Sequence, residues 1–207
     1  PVLQTADSVC PDGDDRVKSV YLLAQGKARS GDPAGAIATF LRLPDEFASH
    51  SYADDGLWQA SRIALDEGHP TEARRYAERI VADFSDGDMA GATLWNLAWS
   101  AIAADQPADA LPWLKTMAAG DPRGPQRGEA LKGRYWLARL QLQLLPDRRE
   151  EALSALESLV LDEPMDWYGS LAGWRLAAED PARAASAGER LQALAQALRG
   201  APREPDD

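Results

Sequence analysis

Apolar residues recur along this 207-residue chain at the spacing of helix faces. One stripe in the middle of the chain follows the order i, i+3, i+4, i+7 that is typical of an amphipathic helix. It consists of Leu94, Leu97, Ala98 and Ala101. Asp105 interrupts the stripe, and Pro107 suits the first turn of a following helix, where no backbone N–H is needed. A second stripe consists of Ala110, Leu114 and Met117. The pattern predicts two consecutive helices.

This two-helix pattern belongs to an internal repeat with a Pro-x-x-Ala motif at its centre. The motif occurs at Pro33/Ala36, Pro70/Ala73, Pro107/Ala110 and Pro181/Ala184, with a degenerate copy at Arg149/Ala152. Its alanines are 37, 37, 42 and 32 residues apart. A small residue precedes each motif alanine by twelve residues, or by fourteen in one unit. These residues are Ala24, Ser61, Ala98, Ala138 and Ala172. Five units at this period indicate a stacked repeat architecture.

Each unit resembles a tetratricopeptide repeat, most closely in the segment LWNLAWSAIAADQPADALPWL from Leu94 to Leu114. Composition agrees, since Ala and Leu number 38 and 26 whereas Val, Ile and Thr together number 15. Glycines at Gly31 and Gly68 are expected to end the opening helices of the first two units. We therefore predict an all-α fold, a right-handed α-solenoid of about five tetratricopeptide-like helix pairs.

The domain boundaries follow from the extent of the repeat. Residues 1–13 are expected to form an irregular leader, residues 14–200 the helical domain, and residues 201–207 a disordered tail. Within the domain, Asp121–Gly128 is predicted to be a longer loop, and residues 185–200 a final helix whose polar side chains would cap the array. The absence of a basic or apolar leader indicates a processed or excised chain.

Charge and hydropathy restrict the partners. The formal net charge of −11 disfavours a nucleic-acid groove and an acidic membrane surface. No apolar run approaches the roughly 18 residues of a membrane span, so we expect no nucleic-acid partner and no membrane insertion. Cys10 is the sole cysteine, which excludes an internal disulfide.

Signals of catalysis or of cofactor and metal binding are nearly absent. His50 and His69 stand in inter-helix loops without other ligands at metal-binding spacing. The acidic stretch around Asp86 lacks a glutamate at position twelve of a calcium loop, which is Leu97. The paired carboxylates are Asp14/Asp15, Asp54/Asp55 and Glu150/Glu151. They are predicted at helix starts, where the helix dipole favours them. We expect no catalytic residue, cofactor or metal.

The aromatic residues are more informative. Tyr21, Trp58 and Trp95 are one repeat apart, and Trp99 follows one turn after Trp95. In the tetratricopeptide pattern this place is beside the packing stripe and toward the concave face. The four residues are therefore a candidate groove that would stack on sugar rings or grip a peptide. The alternative, which helical spacing favours about two to one, is that their rings are buried between helices.

Two stretches resemble one particular family. Arg134–Arg139 reads RYWLAR, similar to the YWLAR helix in the superhelical region of soluble lytic murein transglycosylases. Trp167–Leu176 reads WYGSLAGWRL, similar to the YG-x-LA-x-x-RL helix that comes shortly before the catalytic domain of that family. The resemblance covers roughly residues 50–180.

The family cleaves peptidoglycan with a catalytic glutamate in a lysozyme-like domain, marked by Glu-Ser and a following Gly-Leu-Met-Gln. Here Glu157-Ser158 is followed by Leu159-Val160-Leu161, and Gly-Leu-Met-Gln is absent, so Glu157 is not assigned as catalytic. The resemblance implies a non-catalytic scaffold that positions glycan strands or partners for a catalytic domain outside this chain, in the periplasm or cell envelope. The alternative is a free-standing tetratricopeptide adaptor for protein–protein interaction.

Overall fold

The computed structural model describes residues 13–200, and all regular structure in this range is helical. Ten α-helices follow one another in this range: α1 (Asp14–Arg29), α2 (Pro33–Glu46), α3 (Tyr52–Asp66), α4 (Pro70–Asp83), α5 (Asp88–Ala103), α6 (Leu111–Ala118), α7 (Arg127–Leu144), α8 (Arg149–Asp162), α9 (Trp167–Glu179) and α10 (Pro181–Gly200). Short 3-10 helices, Pro107–Ala110 and Pro146–Arg148, lead into α6 and α8. The predicted all-α fold is confirmed, and the helices form the five predicted pairs.

Proline and glycine mark the turns inside the helix pairs. Pro33 and Pro70 are the first residues of α2 and α4. Gly31 and Gly68, just before them, have φ of +80° and +78°, a region that glycine enters at little cost. Asp105 holds the equivalent place in the third pair with a φ of 59°, although its Cβ makes that conformation less favourable.

The end of the chain differs from the sequence expectation, which began a separate final helix at residue 185. Helix α10 begins at Pro181 and continues without a break to Gly200. The alanine-rich segment contains no residue that would stop a helix once Pro181 has started it. The second helix of the fifth pair and the terminal helix are therefore one element. The predicted leader and tail lie outside the described residues, except for Gly13.

The helices group into two compact units, Pro1–Leu97 and Ala98–Asp207. Fully buried side chains of the first unit include Val20, Phe40, Leu43, Leu57 and Ile80. Those of the second include Leu131, Tyr135, Leu156, Leu159 and Leu176. In the described part of the chain, no helix combines the length and the apolar character that crossing a membrane requires.

Small residues allow the paired helices to approach closely. The repeat alanines Ala24, Ala36, Ala73, Ala98, Ala110, Ala138, Ala152 and Ala172 are all buried. A close approach in the second unit is at Gly133 of α7. A Cβ on Gly133 would lie 2.6 Å from Met117 Cβ and 2.7 Å from the backbone N of Ala118. The backbones of α6 and α7 are therefore in contact at this crossing.

Candidate functional site

The first predicted groove residue, Tyr21, packs into the first unit. Its ring lies 5.5 Å from that of Phe40, nearly perpendicular to it, and 5.1 Å from that of Tyr52. Its hydroxyl accepts a hydrogen bond from Gln59 Nε2 at 3.3 Å. Trp58, on α3, is also partly buried against this core. These two aromatic residues thus contribute to packing within the first unit.

The other two groove residues are carried by α5. Trp95 is partly buried, whereas Trp99 is 46% exposed. The ring of Trp99 lies 5.8 Å from that of Trp136 on α7, nearly perpendicular to it. The guanidinium of Arg139 stands 4.6 Å above the Trp136 ring, a cation–π contact. Of the four predicted residues, Trp99 is the most accessible to a ligand.

Ring contacts continue from α7 to α9 inside the second unit. Tyr135 lies 6.0 Å from Trp136 and 6.0 Å from Tyr168. Burial raises the pKa of Tyr168 above its ordinary value, and the nearby carboxylates of Glu129 and Asp166 raise it further. Tyr168 is therefore a neutral phenol at physiological pH, able to donate a hydrogen bond but unsuited to act as a nucleophile.

The most accessible aromatic surface is a pair of tryptophans on the outer side of α9. Trp167 and Trp174 are 63% and 68% exposed, and Met165 beside the helix start is 95% exposed. The two indole rings lie 6.4 Å apart at 83° to each other. We call these two residues the tryptophan pair. The two rings pack edge to face, and most of the surface of each side chain is accessible to solvent.

Polar contacts fix the start of α9 and therefore the position of this pair. The Asp166 side chain accepts a hydrogen bond from the backbone N–H of Tyr168 at 2.8 Å, which caps the helix. Arg127 of α7 in turn donates to Asp166 at 3.1 Å and also to Glu163. Because Arg127 links the α8–α9 turn to α7, the first turn of the helix that carries the tryptophan pair is held against α7 by polar contacts.

Two of the titratable residues that the sequence analysis considered, Glu157 and His50, have structural contacts. Glu157 accepts hydrogen bonds from Arg183 at 2.8 Å and from Arg190 at 2.9 Å, so it is an ion-paired acid on α8. His50 Nδ1 accepts the backbone N–H of Tyr52 at 3.1 Å. Within residues 13–200, no cluster of three or more His, Cys, Asp or Glu side chains is arranged to hold a metal ion.

One of the paired carboxylates, Asp54, makes a contact that the sequence pattern did not predict. Asp54 stands in the first turn of α3, as predicted, but it is buried and also reaches the next pair. It accepts the backbone N–H of Asp55 at 3.1 Å and that of Met89, in the first turn of α5, at 3.4 Å. Asp54 therefore stabilises the positive end of a second helix as well as that of its own.

Sequence reasoning did not assign Trp136, Trp167 and Trp174 to a site. Trp136 follows Trp99 by 37 residues, but the motif alanines of these two units, Ala110 and Ala152, are 42 residues apart, so the repeat spacing does not identify Trp136 as the equivalent of Trp99. Trp167 and Trp174 lie beside the defined positions of the YG-x-LA-x-x-RL motif and were not predicted to have a role. Their exposure could not be deduced from the sequence, because helical aromatic residues are usually core residues.

Comparison with known proteins finds similar chains among the solved structures. No protein-family model matches the chain, and no curated protein matches it significantly. Among the similar solved structures is a set of nearly identical TPR-like repeats from Podosopora anserina assigned to a kinesin light chain, 18% identical with a TM-score of 0.48. It is aligned over 90% of this chain and 98% of its own. A point variant of the same repeats is 19% identical, also with a TM-score of 0.48, over 89% and 97% of the two chains. At these values the likeness carries no functional argument, so the site must be judged by its own geometry.

Proposed function

We propose that this chain is a non-catalytic interaction scaffold whose tryptophan pair holds an apolar side chain from a segment of a partner protein. The observation that carries this proposal is the exposure of both rings, at 63% and 68%, on a capped and braced helix. Tryptophan is among the residue types most enriched at the positions that dominate binding energy in protein interfaces. Two solvent-exposed tryptophan rings on a helix with a fixed start are therefore typical of a protein-binding site.

The ring geometry favours a protein segment over an extended glycan. A glycan strand stacks best on ring faces that succeed one another along a groove, whereas Trp167 and Trp174 are nearly perpendicular. A perpendicular edge-to-face pair does not offer that succession of faces, whereas its exposed apolar area is sufficient to pack against a single side chain. The exposed Met165 adds a flexible apolar surface that adapts to ligands of different shape.

The second candidate function is the scaffold of a peptidoglycan lytic transglycosylase. It is favoured by one observation, namely that α7 and α9 carry the two motifs that resemble this family, with Tyr135, Trp136 and Tyr168 at their aromatic positions. In this proposal the chain would position glycan strands near a catalytic domain, in the periplasm or cell envelope. The accessible faces of Trp99, Trp167 and Trp174 would then stack on sugar rings.

The two candidates are separated by binding experiments on the same variants. A random-peptide phage library is selected against the purified chain, and the chain is sedimented in parallel with insoluble peptidoglycan. Trp167→Ala and Trp174→Ala are compared with Leu65→Ala, which removes a 55% exposed apolar side chain from α3. Because both indoles are mainly in solvent, we expect all three variants to stay folded by circular dichroism.

The leading proposal expects selected peptides to contain a large apolar residue and to lose binding to both tryptophan variants but not to Leu65→Ala. Co-sedimentation with peptidoglycan that both tryptophan variants abolish would favour the transglycosylase scaffold instead. Failure of the chain to bind either material, or binding that the tryptophan variants leave intact, would refute a ligand-binding role for the tryptophan pair.

A further inference from the structure

A second concave surface lies in the second unit, between α6 and α8, with α7 as its floor. In the described part of this unit, α6 and α8 each pack on α7 but do not contact each other. The gap contains two cavities of about 240 Å³ and 510 Å³, and Leu137, Gln141 and Glu151 line both of them. We call the two adjoining cavities the α6–α8 groove.

The smaller cavity combines an apolar wall with hydrogen-bond acceptors. Its apolar lining includes Leu137, Ala138, Ala155 and Leu159. Asp162 and Ser158 of α8 also line it, are exposed, and have no hydrogen-bond or ion-pair partner among residues 13–200. Arg134 is the one cation of this lining, and it donates to the backbone oxygens of Ala118 at 3.1 Å and Gly120 at 3.2 Å. The Asp162 carboxylate is thus available to a cation from outside.

A buried amide stands where the two cavities meet. Gln141 is only 6% exposed, and its Nε2 donates a long hydrogen bond of 3.5 Å to Glu151. Its amide oxygen has no donor among residues 13–200. This oxygen is open to the groove, so it can accept a hydrogen bond from a ligand that brings an N–H group into the groove.

The larger cavity is suited to an apolar side chain. Leu111, Pro112, Leu137 and Leu145 line it. Its charged residues are Lys115, which has no side-chain hydrogen-bond or ion-pair partner among residues 13–200, and Arg148 and Glu151, which are paired at 3.2 Å. The cationic group of a ligand is therefore expected in the smaller cavity, away from Lys115. A ligand that fills both cavities would therefore place a large apolar group beside a cationic one.

We propose that the α6–α8 groove binds a segment of a partner protein in which a lysine or arginine neighbours a large apolar residue. The apolar residue fills the larger cavity. The aliphatic stem of the basic residue lies along the apolar wall of the smaller one, while its charged head reaches Asp162 and the Gln141 amide oxygen. The volume of the smaller cavity, about 240 Å³, suits one extended side chain rather than a folded element.

This groove is separate from the tryptophan pair of the same unit. Neither Trp167 nor Trp174 lines either of its two cavities. Binding to the groove therefore does not require the tryptophan pair.

The test selects a random-peptide phage library against a Trp167→Ala/Trp174→Ala double variant, so that clones held by the tryptophan pair are not recovered. The strongest clone is synthesised with a fluorescent label, and its affinity is measured by anisotropy. Asp162→Lys is compared with Glu189→Lys, which makes the same charge change at an exposed acid of α10 outside the groove. A second peptide replaces its basic residue by norleucine, which keeps the stem and removes the charge.

We expect selected peptides to pair a basic with a large apolar residue. We expect affinity to fall about tenfold or more with Asp162→Lys and with the norleucine peptide, the size of one charge-assisted contact, and to change less than about twofold with Glu189→Lys. The proposal is overturned if no clone is recovered, if clones lack a basic residue, or if both charge variants weaken binding equally. It is also overturned if sedimentation velocity shows a dimer that Asp162→Lys dissociates, because the occupant would then be a second copy of this chain.

Discussion

The close crossing of α6 and α7 gives a sharp prediction for Gly133→Ala. The new methyl group would meet Met117 Cβ at 2.6 Å, and the neighbouring backbone of Ala118 at 2.7 Å prevents a simple side-chain shift. Such overpacking costs about 1–3 kcal/mol, and a clash with backbone belongs to the upper part of that range. The higher helix propensity of alanine returns about 1 kcal/mol. We therefore expect a net loss of about 1–2 kcal/mol in the free energy of unfolding.

The matched control is Gly188→Ala in the middle of α10, where a Cβ would meet nothing within 4 Å. With no clash to oppose it, the propensity term should raise stability by about 0.5–1 kcal/mol. Urea unfolding followed by circular dichroism gives both values against the wild type. A Gly133→Ala variant as stable as Gly188→Ala would show that the crossing can separate at no cost, and would refute the reasoning from close backbone contact.

Three further predictions concern aspartates. Burial raises the pKa of Asp55, and the nearby carboxylates of Asp54 and Asp88 raise it further. The folded chain therefore binds a proton at Asp55 more tightly than the unfolded chain does. The free energy of unfolding consequently falls as pH rises above the ordinary carboxyl pKa. Asp55→Asn should therefore stabilise the chain at pH 7 and lose this advantage near pH 3, whereas Asp15→Asn, at an exposed first-turn position, should not stabilise it at either pH. Asp105→Gly should raise the unfolding free energy by about 0.5–1 kcal/mol, since glycine adopts a φ of 59° without strain. Asp54→Ala should lower it by about 1–2 kcal/mol through loss of a buried cap.

Each of these has a clear contrary result in chemical unfolding. A gain from Asp55→Asn that persists at low pH would mean that ionisation of Asp55 is not its cause. If Asp105→Gly unfolds at a lower urea concentration than wild type, the left-handed turn is not strained. An Asp54→Ala variant of unchanged stability would show that the hydrogen bond to the first turn of α5 contributes nothing net.

Much of the fold could be predicted because its signals are local. Pro33 and Pro70 start α2 and α4, since proline fits a first turn. Gly31 and Gly68 follow the ends of α1 and α3, since glycine accepts positive φ. The one misplaced helix start, at residue 185 instead of Pro181, reflects an alanine-rich segment whose sequence does not distinguish two helices from one.

The candidate site was predicted less completely, because periodicity identifies a helix face but not what covers it. The sequence pattern predicted both Tyr21 and Trp99 as groove residues, yet Tyr21 packs against Phe40 while Trp99 is 46% exposed. The α6–α8 groove had no sequence signal at all. It is lined by residues far apart in the chain, such as Ala108 and Asp162, and only the packing of three helices brings them together.

The helical repeat follows from the amino-acid sequence, since the hydrophobic stripes, proline starts and small residues each act within one helix pair. Tertiary structure alone decided which aromatic residues are accessible and where acceptors lack donors. Exposure of Trp167 and Trp174 and burial of Gln141 depend on which neighbouring helices cover each face. That covering is a property of the packed array, because burial is the sum of contacts from several helices and no single segment encodes it.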